Sequence, residues 1–259
     1  MRASGALALL ALVTGVSAAP AQELLIRNAR VYTVSEGVRE GTDVLVRAGK
    51  IVAVGANVQA SAAAARVDAR GQPLTPGLFG GLSQIGAVEI GAESSTVDGN
   101  LTFKGPDAEQ QWRPEFDITL AFDAQSTLVP VARIEGITWT MLAPVAGSTI
   151  IAGQGAAVTL DGRQDAVFPD TRALFVSLGI DGKRLAGGSR AGLYMLLEQA
   201  IRETHSKEPF GSDTLLHPAG REVLARYLSG GRVVFGVERA SDILEAIAFA
   251  RRQGMKPVV

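Results

Sequence analysis

The sequence predicts an α/β protein in which a small β-rich subdomain precedes a run of βα units, and three observations carry that expectation. Residues 24–73 are β-branched runs broken by Gly and charged turn residues. From Leu74 onward, apolar runs of strand length alternate with segments of helical period, the pattern of βα units around a parallel sheet. The helical segments also carry their own start and stop residues.

Each element can be justified in turn. "LLIRNARVYT" (Leu24 to Thr33) and "TDVLVRAGKIVAVG" (Thr42 to Gly55) read as short strands and a hairpin, and "ARVDARGQPLTPG" adds a strand and a turn. Beyond them, "GITWTMLAPV" (Gly136 to Val145), "ALFVSLG" (Ala173 to Gly179), "RVVFGV" (Arg232 to Val237) and "KPVV" (Lys256 to Val259) are the clearest strands. In "SRAGLYMLLEQAIRET", Leu193, Leu196, Leu197, Ala200 and Ile201 share one helical face, with Ser189 placed to cap. "PAGREVLARYLSGG" opens on Pro218 and stops at a glycine pair. "ASDILEAIAFARRQG" puts Ile243, Ile247 and Ala250 on one stripe and ends in Arg251, Arg252 and Gly254.

Composition excludes several classes. With 47% hydrophobic and 20% charged residues the chain is neither disordered nor a coiled coil. A net charge of -1, with no block of like charges, leaves no electrostatic footprint for nucleic acid or an anionic membrane. Zero cysteines exclude disulfides, thiolate metal sites and a cysteine nucleophile. Arg2, the apolar run Ala6 to Val13 and the small residues of "VSAAPAQ" read as a secretory signal over residues 1–21, cleaved after Ala18 or Ala21. The run is too short to span a bilayer, which needs ~20 residues. The mature protein is therefore expected in the periplasm or outside the cell, with no membrane partner after cleavage.

Residues 89–116 are polar and punctuated by Gly and Pro, and a connection of that length reads as a lid or binding loop. Glu89, Glu93 and Asp98 would line a site if it folds over one; otherwise they form a solvated acidic loop. Trp112 and Trp139 both read as packing residues, with Trp112 the better placed of the two for a lid contact. A closed (β/α)₈ barrel takes about 250 residues, whereas here the leader and β-rich segment already occupy residues 1–73. The barrel is thus expected to be incomplete, and the sequence to be the N-terminal part of a longer protein.

The order of a short β-subdomain, then "TPGL", then βα units resembles the amidohydrolase superfamily, specifically the imidazolonepropionase-like metal-dependent hydrolases. "GITWTMLAPVAGSTIIAGQGAAVTL" (Gly136 to Leu160) and "VVFGVERASDILEAIAFARRQGMKPVV" extend the resemblance over essentially the whole mature chain. It implies an incomplete TIM-like (β/α) barrel over residues 74–259, preceded by a small composite N-terminal β-sandwich over residues 22–73. The implied reaction is hydrolysis of a non-peptide, often cyclic, amide C–N bond by metal-activated hydroxide, with a small-molecule amide as ligand. In relatives the cofactor is zinc or another divalent metal.

The metal-binding letters differ. Where the family's first barrel strand reads P-G-[LF]-[IVF]-D-x-H-x-H, this chain has Gly80 at the Asp, Leu82 at the first His and Gln84 at the second. Residues two apart on a strand face the same way, so H-x-H at the C-terminal end of a barrel strand aims two imidazoles at one point in the mouth. Such a pair holds a divalent ion that acidifies a bound water. Leu82 has no lone pair, and the neutral amide of Gln84 suits hard cations better than zinc. Gly236 and Glu238 stand where relatives place histidines before R-A-x-D-I. Gln84, Glu89 and Glu238 remain the candidates for chemistry, and no metal or other cofactor is predicted for this segment. Both histidines, His205 and His217, fall outside the ligand positions and read as structural or solvent-facing.

Two imitations are set aside. "GQGAAV" (Gly153 to Val158) lacks the third glycine of a dinucleotide loop. In "GGSRAG" the serine opens a helix without the preceding strand that a nucleophile elbow needs. Two functions stay open: a hydrolase of the family's class working through ligands outside this segment, and a catalytically silent binding or scaffold protein that kept the fold.

Overall fold

The computed structural model describes residues 23–102, 111–206, 211 and 214–259. The predicted leader, residues 1–21, and the middle of the polar loop, residues 103–110, lie outside them. The chain divides into two compact units, Met1–Pro76 and Gly77–Val259.

In the first unit β1 (Glu23–Tyr32) pairs antiparallel with β2 (Val38–Arg47), and β2 pairs antiparallel with β3 (Lys50–Gly55). Ala48 and Gly49 both take positive φ, 50° and 75°, as a tight hairpin between right-twisted strands requires. On the other side of β1, β4 (Ala65–Asp68) and β5 (Pro73–Leu74) pair parallel to it. Ala29, Val31 and Val44 form the buried patch of this five-stranded sheet. The β1 strand bulges after Ile26, where Asn28 turns to φ 52° and its freed N–H donates to the buried Asp43 carboxylate at 3.0 Å. Among the described residues this unit is a single five-stranded sheet rather than the two layers of the small β-sandwich expected from the sequence.

The second unit is built on a six-stranded sheet in the order β11-β10-β9-β8-β7-β6. Its strands are β6 (Leu78–Ser83), β7 (Ile137–Leu142), β8 (Ile151–Thr159), β9 (Ala173–Ser177), β10 (Arg232–Gly236) and β11 (Lys256–Val258). Pairings β6–β7, β9–β10 and β10–β11 are parallel, as expected of βα units. β8 corrects that expectation, because it runs antiparallel to both β7 and β9. The reason is the connection: residues 143–150 join β7 to β8 without a helix, and a parallel crossover needs a dozen or more residues.

The helices are α1 (Leu128–Ile134), α2 (Ile180–Leu185), α3 (Arg190–His205), α4 (Pro218–Leu228) and α5 (Ala240–Arg252). Leu193, Leu197, Ala200 and Ile201 of α3 are buried at the spacing the sequence predicts, against Leu174 and Val233 of the sheet. Ser189 occupies the N-cap position of α3, but its hydroxyl makes no capping bond. In α4 His217 caps instead, its Nδ1 accepting from the Ala219 N–H at 3.3 Å ahead of Pro218 in the first turn. The buried stripe of α5 is Asp242, Ala246, Phe249 and Ala250 rather than the expected Ile243, Ile247 and Ala250; Ile243 is exposed. Asp242 causes the rotation, since its carboxylate is drawn inward by Arg190 Nε at 3.0 Å and Arg239 Nε at 2.9 Å.

The opposite face of the sheet carries a second apolar group, with Ala143, Ala152, Phe175 and Val234 buried and Met141 packed on them. This is the inner face of a half barrel. Its edge strand β6 leaves Leu78, Phe79 and Leu82 exposed.

Candidate functional site

A cavity of about 470 Å³ opens on the inner face, at the C-terminal ends of β6, β9 and β10. At the end of β6, Leu82, Ser83 and Gln84 in succession line its wall. Apolar side chains dominate the remainder, including Val145, Phe175 and Val234, while Ser83, Ser177 and Asp181 supply polar groups. Gly236, at the end of β10, borders the space without adding a side chain.

The polar groups are partly committed. The Gln84 amide nitrogen donates to the Gly99 carbonyl at 3.0 Å. Ser83 shares a 2.8 Å hydrogen bond with the buried Thr140 hydroxyl, which itself donates to the Gly81 carbonyl at 2.8 Å. Ser177 accepts the Gly182 N–H at 3.2 Å, and Asp181 pairs with Arg184. Ser177 and Asp181 were not singled out by sequence reasoning. The signal for Ser177 was available: it is the last residue of a barrel strand, where such barrels place their sites.

The other candidates take positions away from the cavity wall. Glu89 accepts the Thr127 N–H at 3.0 Å, ahead of α1, and this bond together with the Ser126 hydroxyl holds its carboxyl below the usual carboxylate range. Glu93 accepts the Ser95 N–H at 3.2 Å within its own loop, which lowers its carboxyl likewise, and Asp98 is exposed. Glu238 turns to the first turn of α2, where Oε1 and Oε2 accept the Ile180 N–H at 2.9 and 3.1 Å. Gly179 makes this possible, because a Cβ there would stand 2.0 Å from Glu238 Oε1.

Trp112 is a packing residue: it is buried in the helix-side core, and its backbone N–H donates to the Leu215 carbonyl at 2.7 Å. Trp139 packs as expected, stacked on Phe79 at 4.2 Å. His205 is exposed in the last turn of α3, and His217 lies 3.8 Å from Glu115 as it caps α4.

The donor set does not fit a zinc ion. Leu82 offers no donor, Gln84 a neutral amide, Gly236 no side chain, and the Glu238 carboxylate is spent on a helix terminus. Among the described residues, no three His, Cys, Asp or Glu side chains gather to hold a metal.

The motifs that carried the family resemblance have structural roles here. Gly155 passes so close to β7 that a Cβ would lie 2.0 Å from the Leu142 carbonyl oxygen, and Gly153 takes φ 121° against Phe116. Between them Gln154 accepts from the Tyr227 hydroxyl at 3.0 Å. In the "ERASD" stretch Arg239 clamps Asp242 at the start of α5.

No protein-family model matches the sequence, and no curated protein matches it. Among solved structures the chain is similar to an amidohydrolase from Thermotoga maritima MSB8, with a TM-score of 0.70 and 24% identity over 90% of this chain. The chain spans 63% of that protein's length. At that identity the likeness speaks for the fold, and the half-barrel sheet with its preceding β-subdomain agrees with it. The chain has the amidohydrolase fold.

Proposed function

We propose that this protein binds a small, uncharged, amide-bearing molecule on an amidohydrolase fold and does not run metal-dependent hydrolysis through the strands described. The observation that carries the reading is the pair at the end of β6: Leu82 and Gln84 face the cavity where two imidazoles would be needed. An aliphatic group and an amide favour a ligand with apolar surface and hydrogen-bonding carbonyl or N–H groups over a cation. Ser83, Ser177 and Gln84 can orient such a ligand, and Phe175 and Val234 can cover its apolar part. On the strength of the leader at residues 1–21, the same reading sets the protein in the periplasm or outside the cell.

The resemblance implies hydrolysis of cyclic amides as the inherited chemistry, and one experiment separates the two. The purified protein is analysed for bound metal, then titrated with cyclic amides such as hydantoin and succinimide while product formation is followed. Saturable binding without turnover and without stoichiometric zinc is expected. Turnover, or one zinc per chain in the unaltered protein, would return the protein to the hydrolases. The double variant Leu82→His with Gln84→His is expected to gain zinc affinity over the parent.

A further inference from the structure

A second groove, of about 620 Å³, lies at the opposite ends of the same strands. Arg172 immediately precedes β9, Arg232 opens β10 and Lys256 opens β11, and all three line the groove. Arg232 and Lys256 are direct partners in the parallel β10–β11 register, so their side chains leave the sheet on the same face. Like charges at directly paired positions repel, which is a cost that a sheet normally avoids.

The surroundings do little to neutralise them. Arg172 is paired with Asp117, and Arg232 donates to the backbone carbonyl of Asp170. Among the described residues Lys256 has no ion pair or side-chain hydrogen bond. One carboxylate, that of Asp170, also lines the groove. The floor is Tyr227, a buried residue whose phenol feels the charges of Arg172, Arg226 and Arg232, although burial is the larger influence on it and raises its pKa. Gly230 and Gly231 leave the wall free of side chains beside the two cations.

We propose that this groove is a binding site for a small oxyanion, the phosphate or carboxylate group of a ligand, held between Arg232 and Lys256. An oxyanion there would relieve the repulsion of the register pair and accept charge-assisted hydrogen bonds from both side chains. The site is independent of the cavity at the end of β6, so either can fail without the other.

The test is calorimetric titration of the full chain with inorganic phosphate and, separately, with succinate, at constant ionic strength set by chloride. Saturable one-to-one binding of one of them is expected, and the preferred anion distinguishes a tetrahedral from a planar ligand. Lys256→Met keeps the aliphatic stem and should weaken binding by about tenfold or more, whereas Lys50→Met, an exposed cation in the other unit, should leave it unchanged. Lys256→Met should also melt no lower than the parent in chloride, since it removes the repulsion. Absence of saturable binding to both anions, or unchanged binding in a folded Lys256→Met, would overturn the proposal. If Lys256→Met does not fold, Lys256→Gln gives the same two outcomes.

Discussion

Gln84 and Gly99 are fitted to one another: the Gln84 amide nitrogen donates to the Gly99 carbonyl at 3.0 Å, and a Cβ on Gly99 would stand 2.0 Å from that nitrogen. The Val145 N–H donates to the same carbonyl at 3.0 Å, so one oxygen ties two parts of the cavity wall together. Gly99→Ala is therefore expected to dislodge the flexible end of Gln84 and to lower stability by about 0.5–1.5 kcal/mol, the net worth of the hydrogen bond lost. Urea denaturation measures the loss, and a cyclic-amide titration should show weaker binding. Unchanged values in both would mean that Gln84 is not held as described.

Asp242 gives a pH signature. The Arg239 guanidinium first, then Arg190, hold its carboxyl below the ordinary carboxylate value. The folded state thus binds fewer protons than the unfolded chain in that range. The stabilisation is complete above about pH 4 and is lost as pH falls through the folded-state pKa. Asp242→Asn should be less stable than the parent at pH 7, and its stability should fall less steeply between about pH 4 and pH 2. Denaturation series at several pH values would reveal parallel curves if the clamp were unimportant.

Gly155 and Leu142 make a sterner packing test. Ala at position 155 has no flexible neighbour to displace, because the obstacle at 2.0 Å is the Leu142 backbone oxygen. Gly155→Ala should break the β7–β8 pairing locally and reduce soluble yield. Faster hydrogen exchange across Met141 and Leu142 is the measurement, and protection equal to the parent's would contradict the register.

Phe249 is 1% exposed at the centre of the helix-side core, with Tyr194 at 5.4 Å. Phe249→Ala should cost about 3–5 kcal/mol in stability. Its fluorescence-detected denaturation midpoint should fall without change of slope. A loss below 1 kcal/mol would mean that the α5 face is assigned wrongly.

Glu238→Gln separates a helix-capping role from a chemical one. The amide retains one acceptor for the Ile180 N–H, so ligand affinity at the β6 cavity should stay within error while exchange at the start of α2 speeds up modestly. A large loss of binding with unaltered exchange would place the carboxylate in the site itself.

Strands and helices were legible where sequence and burial share a cause. The apolar runs at Ala173–Ser177 and Arg232–Gly236 carry their fate in composition. The direction of β8 was not legible, since an apolar run does not encode which way it points; the helix-free connection at 143–150 decides it. The α5 face was not legible because Asp242 is a charged residue, and only its two arginine partners make it an inward one. Glu238 could not be assigned from its neighbours, since its target, Ile180, is remote in sequence and reachable only because Gly179 lacks a side chain.

The reversal of β8 bears on how the chain folds. β7, β8 and β9 follow one another as a meander through helix-free loops, so their pairings close short stretches of chain and cost little ordering entropy. β6 meets β7 only after residues 84–136 have been threaded between them. The meander is the local part of the sheet, whereas the strand bearing Leu82, like β10 across residues 178–231, joins it only across a long connection whose closure costs more ordering entropy.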